Sequence, residues 1–171
     1  MPNDLFVKRN RPATQLVIAT YTRPADTNVY AAGDVLAQST SAATILTLTN
    51  MARGAGLGGI IQSVNMIDSS VQSTKPDIDL HIFDTAPTMQ NDNVAWSPSD
   101  AERLRELCVL TFSGGNFKSS SNNGSISTGV LSLPYLCVSG SQNLYAIAVV
   151  RNAYTPTSGE VFTWNFLIIP D

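Results

Sequence analysis

Gly54, Gly56 and Gly59 spell the G-x-G-x-x-G of a dinucleotide-binding turn. That turn works only where a strand precedes the glycines and a helix follows them, because the amides and dipole of the helix N-terminus hold the pyrophosphate. Here Ile60, Gln62, Val64 and Met66 alternate with Ile61, Ser63, Asn65 and Ile67, which is the period of a strand. No Gly-Lys-Ser/Thr follows, so a P-loop is excluded as well. The glycines are read as a bend between two strands, one over Thr44–Thr49 and one from Ile60 to Ile67, and no cofactor is expected.

Asp77, Asp79 and His81 share one face of a second alternating stretch and offer oxygen and nitrogen ligands to a cation. Same-face neighbours on a strand stand about 7 Å apart, so three in a row do not converge on one ion. They are read as a solvated polar face and no metal is expected. A serine nucleophile needs a base, yet His81 is the only histidine and no Gly-x-Ser-x-Gly elbow occurs. Glycoside cleavage needs two facing acids, and nothing selects among Asp77, Asp84 and Asp92. No catalytic residue is expected, and the chain is read as a non-enzyme.

The elements that must position these residues are set by composition. At 171 residues the chain is long enough for one domain with its own core. Charged residues make up 13% of it, about half the usual share, so neutral polar groups keep it in solution. Lys8, Arg9, Arg11 and Arg23 stand against Asp4 in residues 1–24, while eight acids lie between Asp68 and Glu106. The basic start is read as an arm that packs between neighbouring copies or onto a lattice. It is not read as a nucleic-acid surface, which would be basic over a whole face. No apolar run reaches 18 residues, so no membrane span is expected, and Leu16 to Ala19 is too short for the core of a secretory signal. Cys108 and Cys137 lie in apolar contexts, as free thiols of a reducing compartment or as a pair; the sequence leaves both open.

Strands are expected over Gln15–Thr22, Val29–Leu36 with a turn at Gly33-Asp34, Asp77–Asp84, Leu107–Phe112 and Val130–Val138 with Pro134 at an edge. In the Asp77–Asp84 strand Ile78, Leu80 and Ile82 face the core, and His81 and Phe83 face outward. Leu144–Asn152 and Val161–Ile169 are apolar enough for central strands covered on both faces. Ser97-Pro98 suggests the start of one short helix running to Glu106, and Lys118–Ser125 reads as an exposed loop. Eight to ten strands with regular turns indicate an all-β fold, an antiparallel β-sandwich of jelly-roll type with one short helix. Residues 1–24 form the arm and first strand, and residues 25–171 the sandwich.

A set of phrases in order carries a family resemblance: Tyr30-Ala31-Ala32-Gly33-Asp34-Val35, Ala52 to Ile61 across the glycines, Leu80-His81-Ile82-Phe83, Ala86-Pro87-Thr88, Asn91-Asp92-Asn93 and the Leu133-Pro134-Tyr135 strand. Over residues 28–154 the chain resembles tailed-bacteriophage virion proteins of the head decoration, or cement, type. The resemblance implies a β-sandwich that assembles in the host cytoplasm onto the capsid exterior, binds the major capsid protein and self-associates as dimers or trimers, with the trimer favoured. It supplies no catalytic residues. The alternative is a tail or fibre module that binds carbohydrate for host adhesion, stacking Tyr30, Tyr135, Tyr154 or Trp96 on sugar rings.

Overall fold

Period-two alternation puts Phe162, Trp164, Phe166 and Ile168 on one side of a ten-residue strand, and all four are buried. In the computed structural model, which describes residues 14–171, that strand is the spine of one of two antiparallel sheets. The first sheet holds β1 (Gln15–Thr22), β11 (Val161–Pro170), β4 (Gly58–Asp68), β8 (Gly124–Ser127) and β7 (Lys118–Ser119) in that order. Beyond the end of β8, β9 (Leu133–Leu136) takes over the same edge of β4. The second sheet runs β2 (Val35–Leu36), β10 (Leu144–Val150), β5 (Ile78–Phe83) and β6 (Glu106–Phe112). Next to β2, β3 (Leu46–Leu48) continues along β10.

With β2/β3 and β8/β9 each taken as one interrupted position, and the two-residue β7 set aside at the outer edge of β8, the described residues place eight strand positions in two interleaved sheets of four. That is the jelly-roll order. Between the sheets Trp164 packs edge-on against Tyr21 with ring centroids 6.2 Å apart, and stacks with Phe162 at 6.4 Å. Each such aromatic removes about 200 Å² from water, about 5 kcal/mol of gross driving force that chain entropy largely offsets.

Several expectations change. The helix α1 is a single turn, Asp100–Arg103, and its N-cap is Ser99, not Ser97. Ser99 and Glu102 cap each other's backbone amides reciprocally, a box completed by a Glu or Gln three residues after the cap. Glu106, expected in the helix, already belongs to β6. Only Val35–Leu36 of the Val29–Leu36 run pairs as a strand, because Gly33, with φ near +99°, turns the chain first. Lys118–Ser125 is not a free loop: Lys118 and Ser119 pair with Ser125 and Gly124. Cys108 and Cys137 are free thiols.

The outward face of β5 is also not solvated. Residues 84–99 leave β5, cross the outside of the second sheet and return to α1, laying Met89 and Trp96 over it. Val35, Ala37, Phe83, Ile147 and Val149 form a small second core beneath them. β10 is thereby covered on both faces, as its apolar run suggests. Strand β11 is not, for its outward residues remain half-buried or exposed.

Candidate functional site

Arg23 sits at the end of β1 with its side chain wholly buried, so it is unavailable to a capsid or a neighbouring subunit. Its Nη2 donates to Asp92 Oδ2 at 3.0 Å and its Nε to the Tyr30 hydroxyl. Asp92 Oδ1 accepts from Tyr30 Oη at 2.6 Å and from the Ala37 amide at 2.8 Å. This network clamps the 84–99 crossing to the start of both sheets. The other three basic residues of the arm, Lys8, Arg9 and Arg11, lie outside the described residues.

Asp77, Asp79 and His81 are each engaged within the protein, and Arg151 spans the last two, its Nη2 lying 3.2 Å from His81 Nε2. Asp77 Oδ1 accepts from the Gly114 amide at 2.7 Å, Asp79 Oδ2 from Arg151 Nε at 2.5 Å, and His81 Nδ1 lies 2.5 Å from Glu106 Oε1. His81 is buried, 4.0 Å from the Trp96 ring centroid, and burial holds its pKa below the usual value. Among the described residues no three ligating side chains gather to hold a metal. The ring stacking proposed for sugars is also corrected. Tyr30, Tyr135 and Tyr154 are buried, and their hydroxyls donate to Asp92, Met51 O and Glu160. Trp96 is half-covered, with Arg103 over its ring at 4.4 Å.

A second interior network was not expected from the sequence. Lys75 Nζ donates to Asp68 Oδ2 at 2.8 Å and to Ser70 O, while Glu160 accepts from Tyr154 Oη at 2.5 Å and from the Thr157 amide at 2.9 Å. Burial, with Asp68 alongside, pushes Glu160 up to about 7. A carboxyl raised above its unfolded value of 4.5 adds stability that is complete below that pH and is lost as pH rises through about 7. Glu160→Gln imitates the protonated acid. It is expected to flatten the fall in urea-unfolding stability between about pH 5 and pH 8, and to exceed the wild type at the upper end by on the order of 2 kcal/mol. A variant with the wild-type slope would place the titration elsewhere.

The exterior divides by chemistry. Outside the second sheet lie the ion pairs Arg103–Glu106, Arg105–Asp84 and Arg151–Asp79. The outer face of the first sheet is neutral across β1, β11, β4, β8 and β9, with Lys118 at its β7 margin. A polar groove of about 750 Å³ opens beside β6 and β8, lined by Asn65, Thr111, Ser113, Asn116, Lys118 and Ser127 among others. The glycines that resemble a cofactor turn lead directly into β4, and Gly58 and Gly59 are its first two residues. No protein-family model and no curated protein matches the chain.

Proposed function

We propose that the chain is a structural virion protein that decorates the head of a tailed phage, acting by binding and not by catalysis. The observation that carries this reading is the divided exterior. A protein that lies on a lattice and faces water on its other side needs one broad surface that sheds water at little cost and one that stays hydrated. The neutral face and the ion-paired face meet those two needs. The phrases that resemble the decoration family fall at joints of this fold: Tyr30 bonds Asp92 and bridges Tyr154, and Ala95 bridges Asp34.

Its mechanism is mass action. A ligand that binds the assembled shell and not its free subunits stabilises the shell in proportion to occupancy, and the major capsid protein is its partner. With Arg23 committed to the interior, capsid contact by the arm rests on Lys8, Arg9 and Arg11. Deleting residues 1–12 is expected to lower the copies bound per head and to bring DNA release to a lower temperature. Full occupancy with unchanged release would remove the arm from the mechanism.

The polar groove favours a second reading, a carbohydrate-binding adhesion module. Its amides and hydroxyls suit sugar hydroxyls, although the groove-lining residues include no aromatic platform. Glycan binding by the isolated protein, with none to heads, would favour this reading.

A further inference from the structure

We propose that Lys75 and Asp68 condense into an isopeptide bond inside the protein, with Glu160 carrying the protons. Asp68 is the last residue of β4, Lys75 lies in the connection from β4 to β5, and Glu160 directly precedes β11. Backbone pairing brings the two acids together: Phe162 faces Asp68 in register, and the Ser69 amide donates to Val161 O at 2.9 Å, so Glu160 stands alongside Asp68. Lys75 Nζ lies 2.8 Å from Asp68 Oδ2, with 1% and 0% of the two side chains exposed, and Glu160 is as deeply buried. The amine end is held from its other side as well. Nζ lies 5.9 Å from the centroid of the Phe117 ring, and a Cβ at Gly124 would stand 3.0 Å from Lys75 Cε, so a side chain there would press on it.

In water an ammonium and a carboxylate are both hydrated and seldom meet in a reactive state. Here both are stripped of water, and fixed contact replaces a high concentration. A proton shift from Nζ to Oδ2 across their hydrogen bond turns the ion pair into a free amine and a carboxylic acid. The Nζ lone pair then forms the new bond to Asp68 Cγ, and the charge that develops on Oδ1 is met by the Ser70 amide, which already donates to that oxygen at 2.7 Å. Breaking the Cγ–Oδ2 bond releases Oδ2 as water. Glu160, which burial holds protonated up to about pH 7, gives the departing hydroxyl its second proton and takes one from Nζ, so it ends as it began. One ammonium and one carboxylate become one secondary amide and one water, and the balance needs no other reactant. The amide carries no charge, so the interior no longer has to hold an ion pair. The bond closes residues 68–75 into a ring that ties down the connection between β4 and β5. It forms once per chain and goes beyond the capsid reading, whose failure would leave it standing. The slope change expected of Glu160→Gln refers to chain not yet condensed, and mass separates the two states.

Intact mass spectrometry of the folded full chain is expected to show a species lighter than the sequence by one water, about 18 Da, that accumulates with time and survives boiling in denaturant. Tandem fragmentation of that species should give no fragment ions ending between residues 68 and 75, because a ring opened at one backbone bond stays in one piece. Glu160→Gln is expected to slow the mass loss at least about 100-fold, the usual share of a positioned proton carrier. Lys75→Arg, which keeps a positive charge opposite Asp68 and offers no amine, is expected to keep its full mass. A folded wild-type chain that holds its full mass after prolonged incubation at neutral pH would overturn the proposal, and so would equal mass loss in either variant. A lighter species that fragments inside residues 68–75 and reacts with hydroxylamine would overturn it as well, because those are the marks of a cyclic imide at Asp68-Ser69.

Discussion

The Asp92→Ala protein is expected to lose about 3–5 kcal/mol of unfolding free energy, the usual effect of removing one partner from a buried ion pair. The loss falls in that range because Arg23 and Asp92 both have fully buried side chains, so the guanidinium left behind has little access to water. The hydroxyl of Tyr30 and the amide of Ala37 lose the same acceptor. Asp26 Oδ1, 3.3 Å from Arg23 Nη2 and partly exposed, replaces only part of that interaction. The damage should centre on the 84–99 crossing, so Trp96 fluorescence should shift toward that of an exposed indole before the main unfolding transition. Arg23→Met combined with Asp92→Ala should cost clearly less than the two single losses added together, because no charge is then stranded. Additive losses in chemical denaturation would show that the pair is not coupled.

Gly59→Val is expected to prevent folding, or to cost more than about 3 kcal/mol, beyond ordinary overpacking. A Cβ at Gly59 would stand 2.5 Å from the Ile169 carbonyl oxygen and 2.6 Å from the Tyr135 hydroxyl. At Gly58 it would stand 2.1 Å from the Tyr135 carbonyl oxygen. These are contacts with β9 and β11 on either flank of β4, and backbone in a paired sheet cannot move aside. Gly115→Ala, where an added Cβ meets nothing within 4 Å, is the matched control and should fold normally. Soluble expression and thermal melting of the two proteins check this, and a stable Gly59→Val protein would contradict the close approach.

What was legible in the sequence was whatever depends on neighbours along the chain. The alternation of Phe162, Trp164 and Phe166 gave the core face of β11. The strand period after Gly59 excluded a cofactor turn, and the turn density pointed to a jelly roll. Features made by distant segments left no local mark. His81 and Phe83 alternate as outward residues should, but the cover over them arrives from residues 84–99, a mostly polar stretch whose large apolar residues are Met89, Val94 and Trp96, of which Met89 and Trp96 pack over them. Arg23 looks like the last charge of a basic arm because its counter-ion, Asp92, lies 69 residues away. The Ser97-Pro98 start lost to Ser99 because the reciprocal bond from Glu102 outweighs a proline at the first turn. For the candidate surface, the outward Leu167 and Ile169 of β11 were visible and their meaning was not. An apolar residue on a second face reads the same whether its own chain or a partner covers it.

The decoration proposal is tested most directly by quantitative mass spectrometry of purified tailed-phage virions, counting copies of the chain per particle against the major capsid protein. The expected result is a ratio commensurate with the capsid lattice, with the chain staying on heads separated from their tails. A count limited to the few copies of a tail component, or loss of the chain with the tails, would contradict it.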